Sequence, residues 1–179
     1  MILDNLTLRP ATHADALCIG VLATQVFLDT YATEGIRPAL AREVLQTMSP
    51  QAFAPLLLDP SIGFILAELN AHLVGFAQLQ LPALRDDVPS RRAAELQRLY
   101  VQARFASVGV GTRLLRAAEA EAAALGADTL WLTAWSGNQR ARAFYARRGY
   151  ADIGATSHHF EQESFENRLF VRALGSTAA

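Results

Sequence analysis

The sequence contains no lysine, so all 16 of its basic residues are arginine. This absence excludes two kinds of enzyme, because a Walker phosphate-binding loop needs a Gly-Lys pair and a Schiff-base enzyme needs a lysine amine. The single cysteine, Cys18, excludes an internal disulfide framework and leaves too few thiolates for a cysteine-rich metal site. Since Cys18 lies within an apolar helical run, we expect it to be buried.

The sequence also lacks a long uninterrupted apolar stretch. Its most apolar region, residues 53–69, is interrupted by Asp59 and Pro60, whereas a membrane-spanning helix needs about 20 apolar residues. No basic start followed by an apolar run marks the first residues, so we expect a cytoplasmic protein with no membrane segment. The 16 basic and 17 acidic residues nearly cancel, so no field of one sign is expected to attract nucleic acid or membrane.

What the sequence does contain is an alternation of strand-like and helix-like segments. A chain of 179 residues, 51% of them hydrophobic, predicts a single domain over residues 1–175, with a disordered tail at 176–179. Strands are predicted at 6–11, 63–69, 72–81, 93–101, 129–135 and 165–174, and helices at about 12–30, 37–48, 109–125 and 138–148. Thr12 and Asp15 resemble a capping box for the first helix. This order favours an α/β (α+β) fold, with a mixed sheet and helices on both faces.

Two glycines, Gly109 and Gly111, lie where the amphipathic pattern of the third predicted helix begins. A strand ending at Val101, then a loop and this helix, would place the N–H groups of residues 110–112 at a positive helix terminus. Such a terminus is typical of an anion site, and glycines let an anion approach the backbone closely. The same glycines could instead only form a tight turn. Leu114 stands where a Rossmann fingerprint needs its third glycine, which disfavours a nicotinamide site.

A second motif lies at residues 138–150, which read NQRARAFYARRGY. Together the two segments resemble the GCN5-related N-acetyltransferase (GNAT) family. Its acetyl-coenzyme A signature is Gln/Arg-x-x-Gly-x-Gly/Ala, and this chain departs from it with Ala106 at the leading position and Ser107 at the usual following glycine. Its second coenzyme segment is Asn-x-x-Ala-x-x-Phe-Tyr-x-x-x-Gly-Phe, with Tyr150 here in place of the last Phe. Five positions match it: Asn138, Ala141, Phe144, Tyr145 and Gly149.

The resemblance implies a fold and a cofactor. The fold has about seven mostly antiparallel strands that splay between the fourth and the fifth, and the cofactor is acetyl-coenzyme A, with no metal. The pantetheine arm would pair with the backbone of the fourth strand, and the pyrophosphate would lie on the 108–112 loop. The cofactor-binding residues so implied are Leu99, Val101, Ala106, Val108, Gly109, Val110, Gly111, Thr112, Asn138, Ala141, Phe144 and Tyr145. Arg104, Arg147 and Arg148 could add charge near the phosphates, or they could be solvated surface groups.

Acetylation of an amine needs two proton transfers, and two residues are candidates for them. Tyr145 is the candidate acid, because the reference pKa of a phenol, about 10, lies near that of a thiol, about 8.5; without the family pattern it would be interpreted as a core tyrosine. Glu95 is the candidate base, because the family places a carboxylate at or near this point. It shares a strand face with Gln97, and it could instead only attract cationic acceptors.

The acceptor is not readable from the sequence. The segment 93–101 is similar to the fourth strand of a polyamine-acetyltransferase-like branch, so polyamines are expected first, then amino-acid-like compounds or a protein N-terminus. Asp29, Tyr31 and Glu34 lie where the family places its acceptor-binding helices. A homodimer is possible, as among relatives. The alternative function, which the changes at positions 106 and 107 make plausible, is a non-catalytic acyl-coenzyme A binding module.

No metal site is expected from the histidines. His158 and His159 are adjacent, so on a strand they would point to opposite faces, and no third ligand is spaced to join them.

Overall fold

The computed structural model of the protein describes residues 5–160 and 163–175. The strands are β1 (Leu6–Pro10), β2 (Ile62–Leu69), β3 (His72–Gln80), β4 (Ala93–Val101), β5 (Thr129–Trp135), β6 (Ala151–Phe160) and β7 (Glu163–Ala173). The α-helices are α1 (Ala16–Tyr31), α2 (Pro38–Thr47), α3 (Pro50–Leu56), α4 (Val110–Ala124) and α5 (Gln139–Ala146).

The seven strands form one sheet in the order β1-β2-β3-β4-β5-β7-β6. β1 pairs antiparallel with β2, and β7 pairs antiparallel with both β5 and β6, whereas β4 and β5 run parallel. The parallel pair is the signature of a chain that crosses over through a helix, here α4, between two neighbouring strands. The predicted mixed, mostly antiparallel α+β fold is therefore confirmed.

The register between β4 and β5 is short. It contains three pairs, of which Glu95 with Trp131 is the last. β4 nevertheless continues to Val101, and β5 continues to Trp135 in register with β7. Beyond Glu95 the described register gives β4 no partner on β5, as expected for a sheet that splays between these strands.

The chain forms two compact units. The first comprises the chain up to Leu79 together with Arg98–Ala118, and its core contains the buried rings of Phe53, Phe64 and Phe76. These three rings lie 6.0 to 6.2 Å apart between centroids, so α3 packs directly on the β2–β3 hairpin.

The second unit comprises Gln80–Gln97 together with the chain from Glu119 onward. Val88, Ala93, Trp131 and Leu169 form one buried cluster in it, and the Trp131 indole N–H donates to the Ala83 carbonyl oxygen at 2.8 Å. The long 81–92 connection is thereby fixed against β5. The prediction of a single domain over residues 1–175 stays a prediction, and its tail at 176–179 lies outside the described residues.

Two elements were not predicted from the residues. α3 is only seven residues long and contains two prolines, yet Ser49 caps it by accepting the Ala52 N–H at 3.2 Å. β6 has few apolar residues and an irregular register between Asp152 and Gly154, and it pairs only with β7 among the described strands.

The expected burial of Cys18 was wrong, because its side chain is exposed. The buried face of α1 is formed by Ile19, Leu22 and Ala23, whereas Leu17 and Val21 are exposed. Cys18 lies on that outward face. An apolar run in the sequence therefore did not show which of its residues face the core.

Candidate active site

The loop between β4 and α4 turns sharply before the helix begins. After β4 ends at Val101, the chain forms a single 3₁₀ turn, and both Ser107 and Gly109 then adopt positive φ angles of 70° and 101°. At 101° a glycine is strongly favoured, because an L side chain rarely adopts that conformation. The Gly109 carbonyl accepts the N–H of Arg113 at 3.1 Å, so helical bonding starts immediately after the turn.

The start of α4 has the features of an anion site. The N–H groups of Val110 and Gly111 belong to the first turn, which α-helical geometry leaves without intrahelical acceptors. No acidic residue lies in that first turn to offset the positive end of the helix dipole. Gly109 and Gly111 add no side chains that would keep a ligand away from the backbone.

Close packing fixes this helix start against the sheet. Val110, Leu114 and Leu115 are at most 1% exposed. A Cβ atom added at Gly75 of β3 would lie 2.7 Å from the Tyr100 carbonyl oxygen and 3.2 Å from the Cδ1 of Leu114. The absence of a side chain at position 75 therefore lets β4 and α4 approach β3 closely, and the loop that joins β4 to α4 is held between them.

The predicted cofactor residues of the first unit form one continuous segment. Leu99 and Val101 lie on β4, Ala106, Val108 and Gly109 lie in the loop, and residues 110–112 lie in the first turn of α4. The Ala106 N–H donates to the Ala103 carbonyl at 3.2 Å, so this residue closes the 3₁₀ turn.

The arginine expected to supply charge in this loop packs on a neighbour. Arg104 is exposed, and its guanidinium carbon lies 5.9 Å from the centroid of the Phe105 ring. Within the described part of the chain, no carboxylate forms an ion pair with it. Its charge is therefore available to a ligand, although nothing orients it toward the helix start.

In the second unit, Asn138 caps α5. Its side-chain oxygen accepts the Ala141 N–H at 3.0 Å, so the cap uses the carbonyl half of the amide and leaves the NH₂ half as a donor. Arg148 folds back on the same helix, where its guanidinium carbon lies 3.6 Å from the centroid of the Phe144 ring. Arg147 is exposed. Of the two arginines at the end of α5, Arg147 is exposed, whereas Arg148 packs on Phe144.

Tyr145 is buried among aromatic rings and is 7% exposed. Its ring centroid lies 5.2 Å from that of Phe144, 5.6 Å from Tyr150 and 6.0 Å from Phe170. These contacts hold the ring in one orientation, which suits both a positioned acid and a core residue.

Tyr150 shows why a tyrosine replaces the phenylalanine of the motif. Its hydroxyl donates to the Glu119 Oε1 at 2.8 Å, and Arg172 donates to the same oxygen at 2.9 Å. Burial and the neighbouring Glu119 charge raise the pKa of Tyr150 well above its ordinary value. The phenol therefore stays protonated and bonds α4 to the segment after α5, a contact that sequence reasoning missed because the two residues are far apart in the chain.

Glu95 lies at the end of the β4–β5 register, opposite Trp131. Its Oε2 atom lies 3.4 Å from the Gln97 side-chain nitrogen, which also donates to the Gln80 Oε1 at 2.6 Å. The predicted common face of Glu95 and Gln97 is therefore present, and Gln80 extends it as a third polar group. Such a half-buried carboxylate, held by an amide, can accept a proton from a nearby amine.

Arg85, in the loop between β3 and β4, interacts with the charge of Glu95. The carboxylate of Asp87 raises the pKa of Arg85 most strongly, and the charge of Glu95 contributes. The guanidinium carbon of Arg85 lies 5.3 Å from the Trp131 ring centroid, and its Nη2 donates to the Thr156 hydroxyl at 2.9 Å. A fixed cation thus lies near the candidate base, and no periodic pattern in the sequence indicated it.

The three residues expected near an acceptor differ in their exposure. Asp29 and Glu34 are exposed, whereas Tyr31 is half-buried, with its ring 4.6 Å from that of Phe27. In the described ranges, no cluster of three His, Cys, Asp or Glu side chains could hold a metal ion. The side chains of His158 and His159 lie outside the description. None of the described helices has the length and hydropathy to cross a bilayer.

Comparison with known proteins gives one family and one fold. A family model described as "Acetyltransferase (GNAT) family" matches residues 29–150. An uncharacterized N-acetyltransferase of Mycobacterium tuberculosis is 30% identical over 142 residues, which cover 76% of this chain and 86% of that protein.

Two solved structures share the fold. The PaiA N-acetyltransferase of Thermoplasma acidophilum, in complex with coenzyme A, aligns with a TM-score of 0.74 at 19% identity, over 94% of this chain and 98% of that one. The yncA protein of Salmonella typhimurium, with its cofactor acetyl-CoA, aligns with a TM-score of 0.68 at 19% identity, over 98% of both chains.

Proposed function

The chain belongs to the GNAT family of acetyltransferases, and from this premise we propose that it transfers acetyl from acetyl-coenzyme A to a primary amine by direct attack in a ternary complex. The observation that supports the proposal is the β4–loop–α4 segment, in which Ser107 and Gly109 turn the chain into α4 and no acidic residue lies in the first turn of that helix. A polyamine, an amino-acid-like compound and a protein N-terminus are the acceptor classes.

The residues present fit the phosphates of coenzyme A. The N–H groups of Val110 and Gly111, with the Thr112 hydroxyl, would bind the pyrophosphate, and Gly109 would allow close approach. Ala106 supplies no charge where the family signature has Gln or Arg. The helix terminus would therefore carry more of the binding in this chain than in relatives with a charged residue at that position.

β4 also offers backbone groups for the pantetheine arm. The Gln102 N–H donates to the Val74 carbonyl of β3 at 3.0 Å. Because successive residues of a strand direct their N–H and C=O groups to opposite edges, Leu99 and Val101 direct theirs away from β3. The pantetheine amides would pair there as an added strand. In the second unit, the free amide NH₂ of Asn138 is the proposed donor, beside Ala141 and Phe144.

Acetyl-coenzyme A supplies an activated thioester. The amine nitrogen attacks its carbonyl carbon, so a C–N bond forms, the C–S bond breaks and the thiolate leaves. Glu95 takes the proton from the amine, directly or through one water, and Tyr145 gives a proton to the departing sulfur. A backbone N–H near Val101 would stabilise the developing oxyanion.

A non-catalytic acyl-coenzyme A binding module is the second candidate function. The departures at Ala106 and Ser107 favour it, since they remove a phosphate-binding side chain and place a non-glycine residue at a φ of 70°.

Calorimetric titration with coenzyme A, followed by thiol release from acetyl-coenzyme A over a panel of amines, distinguishes the two functions. The proposal predicts coenzyme A binding together with turnover of at least one amine. Binding without turnover of any amine would favour the module, and failure to bind coenzyme A would contradict both.

A further inference from the structure

A half-buried arginine on β4 lies within the aromatic core of the first unit. The guanidinium carbon of Arg98 lies 5.4 Å from the centroid of the Phe53 ring, which is fully buried. Its Nη1 donates to the side-chain oxygen of Gln78 at 2.5 Å, and Gln78 is only 1% exposed. A ring and a buried amide therefore fix the guanidinium plane.

Arg98 has no carboxylate partner in the part of the chain that the structure describes, whereas Arg9, Arg85, Arg168 and Arg172 each have at least one. The acid that faces this cluster is Glu43 of α2, whose charge acts on Tyr100 and whose carboxylate accepts the Thr47 hydroxyl at 3.1 Å. A cation taken partly out of water without a counter-ion is costly. An anion supplied by a ligand would offset that cost.

The groups around Arg98 are suited to an acceptor of hydrogen bonds. Burial raises the pKa of Tyr100, although Arg98 lowers it, and burial raises the pKa of Tyr31 to about 12, with a contribution from Tyr100. Both phenols are therefore neutral O–H groups at neutral pH. With the guanidinium they make a donor-rich cluster, and a guanidinium fork binds a carboxylate through two parallel bonds.

The position of the cluster links it to the proposed reaction. Arg98 and Tyr100 flank Leu99, whose backbone is proposed to pair with the pantetheine, and on a strand their side chains share one face. We propose that Arg98 is a specificity-determining residue that binds the carboxylate of the acceptor, so that the acceptor is an amino-acid-like compound. A polyamine would bring further positive charge to the same cation. The inference rests on the proposed function.

The test compares acceptors that differ only in the carboxylate. Thiol release from acetyl-coenzyme A is measured with the twenty common amino acids, their carboxamides and spermidine. We expect the best amino acid to exceed its carboxamide in kcat/KM by about 10- to 100-fold, the range of a charge-assisted hydrogen bond. Arg98→Gln should raise the KM for the amino acid by a similar factor. It should have little effect on the KM for the carboxamide or on the affinity for coenzyme A measured by calorimetry.

Two further variants serve as controls. Arg116→Gln makes the same charge change at an exposed position of α4 and should leave all values unchanged. Arg98→Lys keeps the charge but loses the fork, so it should retain part of the preference for the carboxylate. If Arg98→Gln does not fold, as judged by thermal melting, the ratio of amino acid to carboxamide in Arg98→Lys decides the question.

Several results would overturn the inference. A preference for spermidine or for carboxamides, an equal loss for amino acid and carboxamide in Arg98→Gln, or an unchanged ratio in Arg98→Lys would leave Arg98 a packing residue on Phe53. Calorimetry with coenzyme A-loaded protein separates this inference from the proposed function. If an amino acid binds without being acetylated, and Arg98→Gln abolishes this binding, the carboxylate site at Arg98 is supported and the proposed acetyl transfer is contradicted. If no amino acid binds, the carboxylate site is contradicted.

Discussion

At the scale of single residues, the structure brings together side chains whose partners are far away in the sequence. Glu95 and Gln97 were predicted to share a face because alternation along one strand is enough for that. The contact of Tyr150 with Glu119 and that of Arg98 with Gln78 depend on how α4 and β3 pack, and no local pattern encodes them. Motif positions could therefore be predicted, whereas the groups that orient them could not.

The role of Tyr145 can be tested by removing its hydroxyl. Tyr145→Phe keeps the ring that packs on Tyr150 and Phe170, so stability and coenzyme A affinity should change little. If the hydroxyl protonates the leaving sulfur, kcat should fall about 10²- to 10⁴-fold, the usual contribution of general acid catalysis. Steady-state thiol release with the best amine measures this.

An acetyl thioester with a leaving thiol of much lower pKa is the control for Tyr145→Phe. A good leaving group needs no proton, so this substrate should partly restore the rate. A loss of coenzyme A affinity in step with the rate would instead make the hydroxyl a binding contact. No change in either would make Tyr145 a packing residue.

Ser107 holds a conformation that the family's glycine would adopt more easily. At a φ of 70°, the left-handed backbone conformation costs an L residue about 1 to 2 kcal/mol. A glycine avoids this cost, but its greater conformational freedom in the unfolded chain offsets part of the gain in stability. Ser107→Gly should therefore raise the free energy of unfolding by about 1 kcal/mol in urea titrations. Ser107→Ala, which keeps the strain and loses only the hydroxyl, is the matched control; if it is the more stable of the two, strain is not the dominant effect.

At the scale of elements, strong periodicity and caps were enough to predict most helices and strands, including the helix after the glycine loop. The first helix begins as predicted at the Thr12–Asp15 capping box, although its first turn is 3₁₀. α3 was missed because prolines at both ends of a seven-residue segment hide its helical pattern. β6 was missed because it is held by its pairing with β7 rather than by apolar alternation.

The capping box gives a pH dependence whose sign can be worked out. Hydrogen bonds from Arg9 hold the pKa of Asp15 well below its usual range. A carboxylate whose pKa is lower in the folded state stabilises the fold at any pH above its unfolded-state pKa of about 3.9. This stabilisation is lost as the pH falls toward the folded-state pKa. Because Arg9 is partly exposed, we expect Asp15→Asn to lower the free energy of unfolding by only about 1 kcal/mol at pH 7.

Urea unfolding at pH 7 and pH 3 measures the effect of Asp15→Asn. The difference between the parent and the variant should narrow at pH 3, whereas Asp29→Asn, an exposed change on the same helix, should have little effect at either pH. A difference that widens toward pH 3 would contradict the assignment to Asp15.

The helix start can be tested with charge at Gly109. Gly109→Glu places bulk and a negative charge at the proposed pyrophosphate site, so coenzyme A affinity should fall by more than about 100-fold, as for a lost charged interaction. Gly109→Ala introduces the same backbone strain at a φ of 101° without the charge, so it should lower the affinity for coenzyme A less than Gly109→Glu does. Calorimetric titration of both folded variants with coenzyme A measures this. Unchanged affinity in Gly109→Glu would show that the pyrophosphate does not bind at this loop.

At the scale of the whole molecule, the sequence and the structure agree on one fold and one family. The match over residues 29–150 includes both motif segments, 106–112 and 138–150, so the acetyltransferase class could be predicted from motifs alone. The acceptor could not, because it depends on side chains such as Arg98 and Arg85, whose surroundings come from distant parts of the chain.

The proposed function depends on direct transfer of acetyl from coenzyme A to an amine. Mass spectrometry after incubation with isotope-labelled acetyl-coenzyme A and the amine panel tests it most directly. Direct transfer should give a protein-dependent N-acetyl amine that carries the label, with no label attached to the protein. Labelled acetyl that stays on coenzyme A despite measured binding, or that accumulates on the protein, would contradict it.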